Sequence, residues 1–122
     1  MEESFAFEDL DVWQKALDFA DSVMAETETL SSNKNHYRLM DQLESAVTSV
    51  PLNIAEGKGR YSKKEFTRHL YIARGSLYET VTLLKIFNRR DWIDKNELDS
   101  IELRAMEINK MIMGLIDSIN DS

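Results

Sequence analysis

The chain has no cysteine, one proline and four glycines in 122 residues. Without cysteine there is no disulfide framework, no thiolate metal site and no cysteine nucleophile. So few helix breakers favour an all-α chain. No apolar run approaches the roughly 20 residues needed to span a bilayer. The acidic start Met1-Glu-Glu-Ser4 lacks the basic and apolar regions of a signal peptide. The expectation is a cytoplasmic protein with no membrane partner. What remains, 43% hydrophobic and 30% charged residues, is the composition of a soluble domain. The length suits one domain, residues 1–122, with a core of its own.

The net charge of −7 is unevenly spread. Residues 1–30 hold nine acids and one base, and residues 91–122 hold eight acids and three bases. Residues 61–90 reverse the sign, with seven bases and two acids. Such asymmetry can hold helices together, join subunits or offer a basic patch to an anion.

The central stretch is Ser49-Val-Pro-Leu-Asn-Ile-Ala-Glu-Gly-Lys-Gly-Arg60 followed by Tyr61-Ser-Lys-Lys-Glu-Phe66. It reads as a helix end, a hard turn and a helix start. Gly57 or Gly59 is expected to close the first helix in the left-handed conformation, which glycine adopts without a Cβ penalty. Ser62 is expected to cap the next helix, with Glu65 reaching back to complete a capping box and Tyr61 and Phe66 as the hydrophobic staple.

Periodicity predicts four helices, at about 10–30, 36–56, 63–88 and 95–119. In the first, Leu10, Trp13, Leu17, Ala20, Met24 and Thr27 form an apolar stripe that Ala16 and Val23 widen, with Asp9 as cap. In the second, Leu39, Leu43, Ala46 with Val47, Val50 and Ile54 form the stripe. Pro51 lies inside it and should bend the helix without breaking it. A parallel line of Gln42, Ala46, Ser49, Asn53 and Glu56 is small or polar, either solvated or facing another helix or subunit. In the third, Phe66, Leu70, Ala73, Leu77, Thr80, Leu84 and Phe87 keep the 4-3-4-3 spacing of a bundle seam. Ile72, Ser76, Glu79, Leu83 and Ile86 beside them imply a second buried face. Gly75 in mid-helix costs about 1 kcal/mol relative to alanine, which a close helix approach would explain. The fourth helix starts with Asp94 as cap, Glu97 closing the box and Ile93 with Leu98 as staple. Its stripe is Leu98, Ile101, Ala105, Ile108, Ile112, Leu115 and Ile119, with Met106, Met111 and Met113 off that line. Four helices with short connections, including a polar one at Ser31-Ser-Asn-Lys-Asn35, make an antiparallel up-down-up-down four-helix bundle the economical fold.

Catalytic chemistry finds little material. A di-iron bundle needs Glu-x-x-His pairs, but Glu65 and His69 are four apart and His36 has no such partner. Glu56 and Glu79 would lie roughly 24 Å apart along a hairpin, too far to share a metal or a proton. Ser62 is committed as a cap and has no base placed for it. Gly57-Lys-Gly59 lacks the strand and the Gly-Lys-Ser/Thr ending of a phosphate loop. A non-enzyme with no metal or cofactor is the expectation. The basic run Lys58, Arg60, Lys63, Lys64 and Arg68 sits where free backbone donors at a helix start also favour anions. It is a candidate nucleic-acid contact. Few aromatics interleave with it, though, and a solvated or inter-subunit charge cluster accounts for it as well.

Four stretches, Phe7-Glu-Asp-Leu-Asp-Val-Trp-Gln-Lys-Ala16, the Ser49–Arg60 segment, Ser62-x-x-Glu-Phe66 and Ala73-Arg-Gly-Ser-Leu-Tyr-Glu79, resemble the four-helix bundle family encoded in intervening sequences of 23S rRNA genes. The resemblance covers nearly the whole chain. It implies a ring-like homo-oligomer, a pentamer in some members, and no known enzyme activity. The accessory protein of diversity-generating retroelements is similar too, which implies nucleic-acid binding through a basic surface. Where many members carry two arginines after Gln42-Leu43, this chain has Glu44-Ser45, and with its acidic total that counts against RNA. Asn53, Glu56, Arg60, Ser76 and Glu79 match motif positions, as do Ser49, Pro51, Gly57, Gly59, Ser62 and Gly75. They are expected to act as structural partners within or between subunits.

Overall fold

A computed structural model describes residues 3–31 and 36–122. Most of the polar connection expected at 31–35 therefore lies outside the described residues. A 3-10 turn at Ala6–Asp9 leads into α1 (Asp11–Glu26) and the single turn α2 (Glu28–Ser31). Three long helices follow, α3 (Tyr37–Lys58), α4 (Lys63–Arg89) and α5 (Lys95–Asn120). Among the described residues there is no strand.

Around the bundle the order is α1, α3, α4, α5 and back to α1, because each of these neighbours packs on the next and no contact crosses the diagonals. Pairs across the interfaces set the directions. Gln42 meets Glu79 and Asn53 meets His69, so α3 and α4 run antiparallel. Arg74 meets Asn109 and Lys85 meets Glu102, so α4 and α5 do too. Lys15 of α1 pairs with Glu107 of α5 at 2.9 Å.

The core follows from the seams. On α4, Leu70, Ala73, Leu77, Thr80, Leu84 and Phe87 are all buried and Phe66 is half-buried, as the heptad spacing predicts. The Thr80 hydroxyl is satisfied by donating to the Ser76 carbonyl at 2.8 Å. On α5 the stripe holds through Ile112, after which Ile116 is buried and Leu115 and Ile119 are only half-buried. A real helix turns every 3.6 residues, so a 3.5-residue stripe drifts off the contact line toward its end. Met111 and Met113 pack against the core, whereas Met106 is exposed. Pro51 is buried and α3 runs unbroken through it.

Several local expectations need correction. The centre of the α1 core stripe is Val12, Ala16, Phe19, Ala20 and Val23, not the line through Leu17, which is 45% exposed. Asp9 does not cap α1; the cap position is Leu10, and the turn before it supplies the ordering. Ser62 and Asp94 do cap α4 and α5, accepting from the backbone N–H of Glu65 and Glu97 at 3.1 and 2.8 Å. The boxes stay half-made, because the Glu65 carboxylate turns to Arg68 and the Glu97 carboxyl lies against Glu26 and Asp94. Tyr61 is fully exposed, so the first staple is absent, while Ile93 and Leu98 are both in the core.

No glycine among the described residues has positive φ. Gly59 ends α3 in a helical conformation, its N–H donating to the Ala55 carbonyl at 3.2 Å. Gly57 lies inside α3 and is needed for a different reason. A Cβ there would sit 2.7 Å from the His69 Cβ and 3.2 Å from the Phe66 carbonyl, so the two helices touch across it. Among the described residues the left-handed one is Asp91, with φ of 62°, which lets the Trp92 N–H reach back to the Phe87 carbonyl and close α4.

Candidate functional site

The polar line on α3 faces α4. The Ser49 and Ser76 hydroxyls are 2.8 Å apart, and Asn53 donates to the Ser49 carbonyl and hydroxyl, each at 2.9 Å. The other end of the Asn53 amide, its Oδ1, lies 3.0 Å from His69 Nδ1, and Arg68 reaches His69 Nε2 at 3.3 Å. Arg68 can only donate, so Nε2 accepts and Nδ1 carries the proton that goes to Asn53. Every polar atom of this ladder has a partner, and His69 is only 4% exposed. At its open end Gln42 donates to Glu79 at 3.3 Å.

The remaining motif residues divide by position. Glu56 pairs with Arg60 one turn on, at 2.8 Å, at the α3 end. Glu79 is on the far part of α4, beside Gln42, so the two carboxylates do not meet. Gly75 is exposed on α4 with nothing within 4 Å of where its Cβ would be, so the close approach expected there is absent within the subunit. Among the described residues no group of three metal-ligating side chains converges. Likewise, no described helix is long and apolar enough to cross a membrane.

Most of the basic run is engaged within the chain. Arg60 pairs with Glu56, and Arg68 with Glu65 at 2.8 Å, a contact that holds the Glu65 carboxyl below its ordinary value. Lys58 lies over the Phe66 ring at 5.8 Å, and Lys63 donates to the main-chain oxygen of Ser122. Lys64 is exposed.

Periodicity alone did not show a second feature. Trp13, Leu17, Ala20 and Met24 of α1 and Thr48, Pro51, Leu52 and Ala55 of α3 line a groove of about 600 Å³, with Phe7 at one end. Leu17 and Leu52 are 45% and 63% exposed. Asp18 and Asp21 belong to the lining and no basic residue does. The groove's α1 wall, Trp13, Leu17, Ala20 and Met24, is the very stripe that periodicity reads as core.

These features define an all-helical bundle with a satisfied polar seam on one side and an open apolar groove on another. The family model of the 23S rRNA-intervening sequence protein matches residues 8–114, and the chain belongs to that family. A crystal structure of a protein of unknown function from the S23 ribosomal protein family, from Bacteroides thetaiotaomicron VPI-5482, is similar at 28% identity and a TM-score of 0.80. The match covers 86% of this chain and 97% of that one. No curated protein matches the chain.

Proposed function

We propose that this protein is a non-enzymatic building block that assembles with copies of itself into a ring-like homo-oligomer, five copies being the number the family resemblance implies. The observation that carries this reading is the α1–α3 groove. A stripe of side chains including Trp13, Leu17, Met24 and Leu52 stays partly in water although the core beside it is complete. Contiguous exposed apolar surface of this kind marks an interaction site. The residues with catalytic potential are meanwhile occupied: Ser62 as a cap, His69 inside the helix seam, Glu56 by Arg60.

The nucleic-acid reading has less behind it. Four of the five cations at the α3–α4 turn already have acceptors or a ring within the chain. Its remaining support is their clustering at one end of the bundle. Multi-angle light scattering at micromolar concentration tests the assembly: a mass of several chains supports it, and a single-chain mass ends it. Filter binding to structured RNA, with K63E/K64E/R68E as comparison, tests the second reading. Equal retention of both proteins would remove it.

A further inference from the structure

Gly75, like Gly114 on α5, is a helical glycine that the subunit itself leaves unexplained. It sits in the middle of a 27-residue helix, where glycine is the worst residue short of proline, yet no atom comes near the place its side chain would fill. At 3.6 residues per turn, Arg68, Tyr71, Ile72, Tyr78, Glu79, Thr82 and Ile86 fall on the same outward face. Tyr71, Ile72, Tyr78 and Ile86 are 39% to 49% exposed. A ridge of large apolar side chains with a glycine at its centre is the shape that receives another element at close range.

The charges select the occupant. The outward face of α4 carries the exposed Lys64, Arg68 and Arg89 against the exposed Glu79, its other bases turning to Ser122, Asn109 and Glu102. α1 carries four acids against one base. The α1–α3 groove has an apolar floor, and its charged lining residues, Asp18 and Asp21, are both acidic. Two such grooves facing each other would bring like charges together, which disfavours symmetric pairing of that face. α4 is diagonal to α1 across the bundle, so the basic ridge and the acidic groove point in different directions. A contact between different patches is head-to-tail, and it closes into a ring when the rotation allows.

We infer that the outer face of α4 around Gly75 docks into the acidic apolar groove between α1 and α3 of a second copy. This rests on the self-assembly reading above and names its two surfaces. Two substitutions separate them, Leu17→Lys in the groove and Gly75→Glu on the ridge. Both positions are solvent-facing in the subunit, and circular dichroism melts check that each variant folds. In sedimentation velocity each variant alone should run as a single chain, with association at least tenfold weaker than wild type. An equimolar mixture should form one-to-one dimers and nothing larger, because one intact groove meets one intact ridge. Assembly unchanged in either variant, dimerisation of one variant alone, or a mixture that stays monomeric would each overturn the docking while leaving self-assembly standing. A wild-type chain that is itself monomeric overturns both.

Discussion

The two sides of α3 invert the usual placement of side chains. Toward α4 it presents Ser49 and Asn53, polar residues in a helix–helix seam, each hydrogen-bonded. Toward α1 it presents Pro51, Leu52 and Ala55 to a groove open to water. A polar cluster between two helices invites a catalytic reading, but in this half-buried one each side chain already has a partner within the subunit. The apolar groove looks unremarkable in sequence, yet it is the part of the surface that water leaves unsatisfied. Function in this fold is better sought in exposed apolar side chains than in buried polar ones.

Substitutions on each side can break that contrast. The largest effect is expected at Gly57, where Gly57→Ala drives a Cβ against the His69 Cβ and the Phe66 carbonyl and should cost about 1–3 kcal/mol in urea unfolding. Gly75→Ala, with open space around it, should instead stabilise the folded subunit by about 0.5–1 kcal/mol. Equal signs at the two glycines would mean that the α3–α4 approach is not as close as described. Asn53→Ala removes the partner of the His69 Nδ1 proton and should cost about 1–3 kcal/mol. The seam being internal, that variant should keep the wild-type oligomeric state by size-exclusion chromatography, and a change of state would move the ladder into an interface.

The caps come next: Asp94→Ala should lower stability by about 1 kcal/mol in thermal melts. The smallest effect lies where α1 meets α5. Partial burial, the nearby Asp94 carboxylate and a hydrogen bond with Glu26 together push the Glu97 carboxyl above its ordinary value. The folded state then holds that proton more tightly than the unfolded chain does. Its stabilising contribution is full below the ordinary carboxylate range and is lost as pH rises through the raised value. Glu97→Gln should therefore raise the neutral-pH melting point slightly, by no more than about 0.5 kcal/mol of stability, with no gain in acid.

How much of this was legible depended on whether one helix carried the information. The α4 seam was readable from its 4-3-4-3 line, but the second buried face expected at Ile72, Ser76, Glu79, Leu83 and Ile86 is absent. Only Leu83 is buried, and Ile72, Glu79 and Ile86 are exposed because no helix of the subunit packs on that side. On α1, Val12, Ala16, Phe19 and Val23 compete with Trp13, Leu17, Ala20 and Met24, and periodicity cannot rank two apolar lines on one cylinder. Packing against α5 and α3 decides it. Ser62 and Asp94 were legible as caps because capping is local, but the glutamates that should complete the boxes found stronger partners in Arg68 and Glu26. Glycine near a helix end usually closes it, so the sequence offers Gly57 and Gly59 alike for that role, which Gly59 takes. Gly57 is held by something else. Its real constraint is His69 across the seam, a contact that appears only once α3 and α4 are in register. The polar line on α3 was visible but unassigned for the same reason.

Trp13 offers the most direct test, because it lines the groove itself and only one other tryptophan is present. In a Trp92→Phe chain, acrylamide quenching of Trp13 should be weak, since another copy covers it. Adding Gly75→Glu, on the opposite part of the bundle, should make the same residue strongly quenched. Identical quenching with and without that substitution would contradict the account.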